Sequence, residues 1–134
     1  MEKNMQEGKF KKKSLKRFLH SFKFSFEGIK YAVYNEVNIF VMIIMAMLAV
    51  VLGIILKISY VECLVVVLLI GVILSLELIN TAIEAVVDLV TSDKKPLAKV
   101  AKDCASGAVS VMSIVAIILG LMIYLPKIIE IFVR

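Results

Sequence analysis

Residues 61–90 read VECLVVVLLIGVILSLELINTAIEAVVDLV, and the reading of this stretch decides the fold. From Val61 to Leu76 the only charge is Glu62, at the start. Glu77, Asn80, Glu84 and Asp88 then enter at steps of three and four, and the helical spacing continues unbroken to Val90. A bilayer core of roughly 30 Å takes about 20 helical residues, so the apolar part is short by itself. The stretch therefore reads as one long helix that crosses the core and runs on into the aqueous layer. It stops at Thr91-Ser92-Asp93-Lys94-Lys95-Pro96, a polar run ending in a helix breaker.

Two further runs can span. Ile39–Leu56 and Ala105–Leu125 carry no charge over 18 and 21 residues. The 134-residue chain is 61% hydrophobic, with mean hydropathy +0.98, against about 45–50% apolar for soluble proteins. A three-span membrane protein is expected rather than an unusually apolar soluble bundle. Upstream, Leu15, Phe18, Leu19, Phe22, Phe26, Ile29 and Val33 alternate with Lys16, Arg17, Lys23, Glu27 and Lys30. That pattern predicts an amphipathic helix at the membrane surface, over about 14–34. The expected organisation is a basic tail over 1–13, a membrane domain over 14–125 with spans at about 38–56, 61–90 and 104–125, and a short tail over 126–134.

Charge placement orients the spans. Nine of the 16 Lys and Arg fall in residues 1–30, and Lys94, Lys95, Lys99 and Lys102 follow the second span. The positive-inside rule puts the N-terminus and residues 91–104 in the cytoplasm and the C-terminus outside. A basic segment before membrane spans faces anionic lipid more readily than nucleic acid, so no nucleic-acid partner is expected. A cleavable signal peptide is not expected, because the first apolar run begins near residue 39. Cys63 and Cys104 lack C-x-x-C spacing, which argues against sulfur chemistry; both read as packing residues.

Depth and angle then define a candidate site. Glu77 lies sixteen residues from Val61, roughly 24 Å along a helix, which is the inner edge of the core. At about 100° per residue, Glu77, Asn80, Glu84 and Asp88 fall within roughly an 80° arc. Asn35-Glu36 before the first span and Lys102-Asp103 before the third reach the same level. A stripe of like charges at lipid depth is costly without compensation. Lys and Arg could neutralise it, or a divalent cation could: Mg²⁺ takes hard oxygens, commonly one or two carboxylates with substrate phosphates. Carboxylates beside the basic candidates Arg17, Lys94, Lys95 and Lys102 point to phosphate chemistry. No Gly-rich nucleotide loop is present.

The run Glu77-Leu-Ile-Asn80-Thr-Ala-Ile-Glu84-Ala-Val-Val-Asp88 resembles the E-x-x-N-[ST]-A-I-E-x-x-V-D signature of the small prokaryotic diacylglycerol kinase family. Asn35-Glu36 and Ala101-Lys102-Asp103-x-x-Ser106 match its flanking blocks, at agreeing intervals, over roughly residues 14–125. The resemblance implies a homotrimer of three-span subunits, each with a surface helix and active sites at the cytoplasmic interface. It implies ATP- and Mg²⁺-dependent phosphorylation of a lipid hydroxyl. Glu77 would be the catalytic base and contact the lipid substrate, with Ser106 as a lipid-headgroup neighbour. Glu36 and Glu84 would hold the metal that bridges the ATP phosphates. Arg17, Phe24, Asp93, Lys94, Lys95, Lys102 and Asp103 would contact the nucleotide, Phe24 standing where some members have Tyr. Asn80 and Asp88 would support the site. Diacylglycerol-phosphorylating members tend to read N-E-A-A-F-R-Q-E where this chain reads Asn35-Glu36-Val37-Asn38-Ile39-Phe40-Val41-Met42. Asn38 is closer to the Gram-positive branch, so undecaprenol is the expected substrate and diacylglycerol the alternative. A small cation- or proton-coupled transporter fits less well, because such sites lie near the midplane. A membrane anchor would leave the polar stripe unexplained.

Overall fold

In the computed structural model of the protein, four helices follow one another: α1 (Glu2–Asn35), α2 (Val37–Ile55), α3 (Tyr60–Val90) and α4 (Pro96–Val133). The structure describes residues 2–133, with side chains from Arg17 onward except Leu19. The Lys9–Lys13 run and Leu15, Lys16 and Leu19 of the amphipathic pattern lie outside the described side chains, and Arg134 outside the described residues.

The chain divides into two units, residues 1–35 and 36–134. In the first, α1 is continuous from Glu2, so residues 2–13 belong to a helix, in keeping with Lys, Glu and Gln as good helix formers. Phe18 meets Phe22 edge-on at 5.0 Å, Lys23 pairs with Glu27 at 3.8 Å, and Lys30 lies over the Tyr34 ring at 5.8 Å. All three contacts join residues one turn apart on the same helix.

In the second unit, α2, α3 and α4 are each long and apolar enough to cross a membrane. α3 packs against both α2 and α4. Few of the side chains at lipid depth are buried within the chain, and the buried apolar set is small: Ile39, Val66, Leu69, Val109 and Ile123. Without water there is little hydrophobic drive between such helices, so fit and hydrogen bonds hold them. Tyr124 Oη donates to the Ala49 carbonyl at 2.9 Å, tying α4 to α2.

The connection between α2 and α3 is tightly specified. Lys57 N–H donates to Ile54 O at 3.2 Å and Ile58 N–H to Gly53 O at 3.1 Å, the two bonds of a Schellman ending. Lys57 takes the left-handed position, φ 52°. Ile58 folds back over Gly53, where an added Cβ would sit 2.9 Å from Ile58 Cδ1. Ser59 opens α3 with a reciprocal cap: its Oγ accepts from Glu62 N–H at 3.3 Å, and its N–H donates to Glu62 Oε2 at 2.6 Å. Lys127 of α4 reaches the same Glu62 oxygen at 3.0 Å.

α3 ends at Val90 and α4 starts at Pro96. The proline that stops one helix is the first residue of the next, where its missing N–H and fixed φ are tolerated. Residues 96–103, read from sequence as loop, are therefore helical, and the connection shrinks to 91–95. α4 also continues through Pro126, which leaves the Met122 carbonyl without its helical donor. Cys63 and Cys104 are free thiols exposed on the chain's surface, not packed inside it.

Candidate functional site

The polar stripe of α3 holds the most buried polar side chains among the described residues. Glu77 is 2% exposed and Asn80 6%, with Thr81 also buried; Glu84 is half-buried and Asp88 exposed. The i, i+3, i+4 spacing puts these groups on one face, and packing of α3 between its neighbours encloses the upper part of it. Thr81 Oγ1 donates to the Glu77 carbonyl at 3.0 Å, a local bond that occupies its hydroxyl. Asn80 Nδ2 donates to Glu84 Oε1 at 3.1 Å. The other amide oxygen, Asn80 Oδ1, is buried without a partner.

α2 completes this group from across the interface. The Asn38 side chain is within hydrogen-bonding reach of the Glu77 carboxyl, and the Glu36 and Glu84 carboxylates are close enough to act on it electrostatically. Glu36 is the residue before α2, in extended conformation (φ −110°, ψ 112°), and caps no N–H with its side chain. Among the described residues, none of Glu36, Glu77 and Glu84 forms a salt bridge with Lys or Arg. Nor do three or more His, Cys, Asp or Glu side chains converge as a ready metal cage. Two carboxylates beside an unpartnered amide oxygen suit a hard cation that keeps phosphate and water in its shell.

Asp88 behaves differently from the rest of the stripe. It pairs with Lys102 of α4 at 2.6 Å, with side-chain exposures of 65% and 35%. Asp103 pairs with Lys99 one turn earlier. These pairs border a cleft of about 560 Å³ lined by Val87, Asp88, residues 91–96, Ala98, Lys99, Lys102 and Asp103. Asp93, Lys94 and Lys95 are exposed in its rim, and Asp93 N–H donates to Thr91 Oγ1 at 3.1 Å, shaping the turn. The structure thus brings together Glu36, Glu77, Asn80 and Glu84 in one group, and Asp88, Asp93, Lys94, Lys95, Lys102 and Asp103 in another. Ser106 is exposed on α4, one turn beyond Lys102, and its carbonyl accepts from Ser110 Oγ at 3.0 Å. Arg17 and Phe24 are exposed on α1.

Sequence reasoning missed the contacts of three residues. Asn38 was noted only as a mark of branch, Thr81 only as part of a signature, and Lys99 only as a charge. For Asn38, its place at the start of a span, two residues after Glu36, is the available signal.

Fold and site define a helical membrane enzyme whose carboxylates lie beside a lysine-bearing cleft. The profile of the prokaryotic diacylglycerol kinases matches residues 23–124, and the chain belongs to that family: it is a lipid kinase. It is 43% identical over 113 residues to the undecaprenol kinase of Bacillus subtilis (strain 168), covering 84% of this chain and 92% of that protein. It is 34% identical over 116 residues to a diacylglycerol kinase of Synechocystis sp., covering 86% of this chain and 66% of that protein. Membership of a kinase family implies the use of ATP.

Proposed function

We propose that this protein phosphorylates undecaprenol at the cytoplasmic face of the plasma membrane, using MgATP and working as a homotrimer. The observation that carries the substrate is the 43% identity to an undecaprenol kinase along nearly the whole of both chains. Asn38, beside the buried Glu77, fits the same branch. The second reading is diacylglycerol, favoured by the Synechocystis relative.

In this reading Glu77 takes the proton of the lipid hydroxyl as its oxygen attacks the γ-phosphorus. The new bond is lipid O–P; the bond that breaks joins the γ-phosphorus to the β–γ bridging oxygen, and ADP leaves. Burial holds the Glu77 carboxyl away from bulk water, and Asn38 orients it. Glu36 and Glu84 would hold Mg²⁺, which supplies neutralisation of the phosphate charge. Lys102, released from Asp88, meets a phosphate; Lys94, Lys95, Asp93, Asp103, Arg17 and Phe24 contact the rest of the nucleotide. Ser106 neighbours the headgroup. Asp88 holds Lys102 in place before nucleotide arrives.

The positive-inside distribution puts the N-terminus and residues 91–95 in the cytoplasm and the C-terminus outside. Residues 14–34 of α1 lie in the interface, with Phe18, Phe22 and Phe26 toward lipid, and the 1–13 segment lies against anionic headgroups. The membrane domain covers about 14–125. The test is transfer of label from γ-labelled ATP to undecaprenol or diacylglycerol, separately and in competition, with purified protein in detergent. Preference for undecaprenol is expected; preference for diacylglycerol would overturn the substrate, and no transfer to either would overturn the reading.

A further inference from the structure

Asn80 is an odd residue for its place. Asn is a poor helix former, and here it sits in mid-helix, 6% exposed, at the level of three carboxylates. Half of its amide is accounted for, because Nδ2 donates to Glu84 Oε1 at 3.1 Å. That contact also fixes which way the amide faces, since the reverse would set its oxygen against an acceptor. The oxygen, Oδ1, is buried with no donor. A buried amide oxygen left unpaired costs about 1–3 kcal/mol.

The surroundings narrow what can donate to it. Glu36, Glu77 and Glu84, when ionised, only accept. The Thr81 hydroxyl already donates to the Glu77 carbonyl. The backbone N–H groups of this turn are committed to the helix. A lipid hydroxyl has one hydrogen, and in the proposed reaction that hydrogen goes to Glu77. No donor for Oδ1 is present among the described residues, so one must come from outside the chain. A hydrated divalent cation supplies such a donor, and the neighbouring carboxylates attract one; Mg²⁺ in particular keeps several of its waters.

We propose that Asn80 positions the metal end of the site from both ends of its amide. Nδ2 locks the Glu84 carboxylate in one rotamer, and Oδ1 accepts a hydrogen bond from the hydration shell of the cation that Glu84 holds. The proposal rests on the lipid-kinase reading only in taking Glu84 as a metal ligand, and it can be tested without turnover.

The probe is Mn²⁺, followed by the loss of its free EPR signal, with a non-hydrolysable ATP analogue present. Asn80→Leu keeps the shape of the side chain and removes both polar atoms. Partners that orient metal ligands are worth about 10–100-fold in affinity, and a loss of Mn²⁺ affinity in that range is expected. The metal-free melting temperature should hold or rise, because the substitution also removes the unpaired oxygen. Asn80→Leu combined with Glu84→Gln should lose less than the two single losses together, because the Nδ2 half of the role acts through Glu84. Unchanged Mn²⁺ affinity in Asn80→Leu would overturn the proposal, as would losses that add in the double variant. A lowered metal-free melting temperature with normal Mn²⁺ affinity would reduce Asn80 to a packing residue. Should Asn80→Leu fail to fold, Asn80→Ala carries the same measurements. If the unsubstituted protein binds no Mn²⁺, the proposal fails, whereas the label-transfer experiment decides the kinase reading separately.

Discussion

Replacing Glu77 by Gln separates chemistry from structure more cleanly than any other single change. The side chain is 2% exposed, so a substitute must match its volume, and Gln does. The Glu36 and Glu84 carboxylates act on Glu77 from nearby, and among the described residues Glu77 forms no salt bridge. Removing its charge therefore relieves repulsion, and the melting temperature in detergent should hold or rise. A positioned base contributes about 10²–10⁴ in rate, or roughly 2.7–5.4 kcal/mol of barrier. Initial rates of label transfer to undecaprenol should fall by that factor. Protection against heat by MgATP should remain, because the cleft residues are untouched. A Glu77→Gln protein that keeps more than about a tenth of the rate would refute the assignment of the base. Loss of rate accompanied by loss of MgATP protection would show that Glu77 serves binding instead.

Three other changes probe different parts of the molecule. Glu84→Gln should shift the Mg²⁺ dependence of label transfer to higher concentration as well as slow it, and an unmoved Mg²⁺ titration would remove Glu84 as a ligand. Lys102→Ala breaks an ion pair with Asp88 that is largely exposed, worth at most about 1 kcal/mol. The melting temperature should barely move while KM for ATP rises; a destabilised protein with normal KM would make Lys102 structural. Lys57→Gly relieves a left-handed residue. After the entropy that Gly loses, a net gain of about 0.5–1 kcal/mol is expected, read by melting in detergent, and a lower melting temperature would contradict the strain.

The three spans were legible because runs such as Ile39–Leu56 carry no charge for the length of a bilayer. The stripe was legible because Glu77, Asn80 and Glu84 repeat at helical steps. What joins one helix to another was not. Nothing local says that Lys102 chooses Asp88 fourteen residues away, or that Asn38 turns toward Glu77. Sequence reasoning offered two ways of neutralising the stripe; a lysine meets Asp88, whereas among the described residues none meets Glu77 or Glu84. The left-handed Lys57 escaped because the usual sign of such an ending is Gly. The helical start at Pro96 escaped because proline signals both a stop and a first turn. α4 runs on past Pro126 at the cost of the hydrogen bond to the Met122 carbonyl.

The turn between α2 and α3 also works as a ruler. Only residues 56–59 join the two helices, so their lengths are measured from a common origin. From Gly53 back to Glu36 is seventeen residues, about 26 Å of rise, and from Ser59 on to Glu77 is eighteen, about 27 Å. The two arms match to within about one residue's rise, and this match brings Glu36 level with Glu77. Most side chains along either arm can be exchanged for others of similar size. The number of residues cannot, because one more or one fewer turns an end carboxylate by about 100° away from its partner. In the proposed reading, chemistry at one face of the membrane is thus set by a count kept from the other.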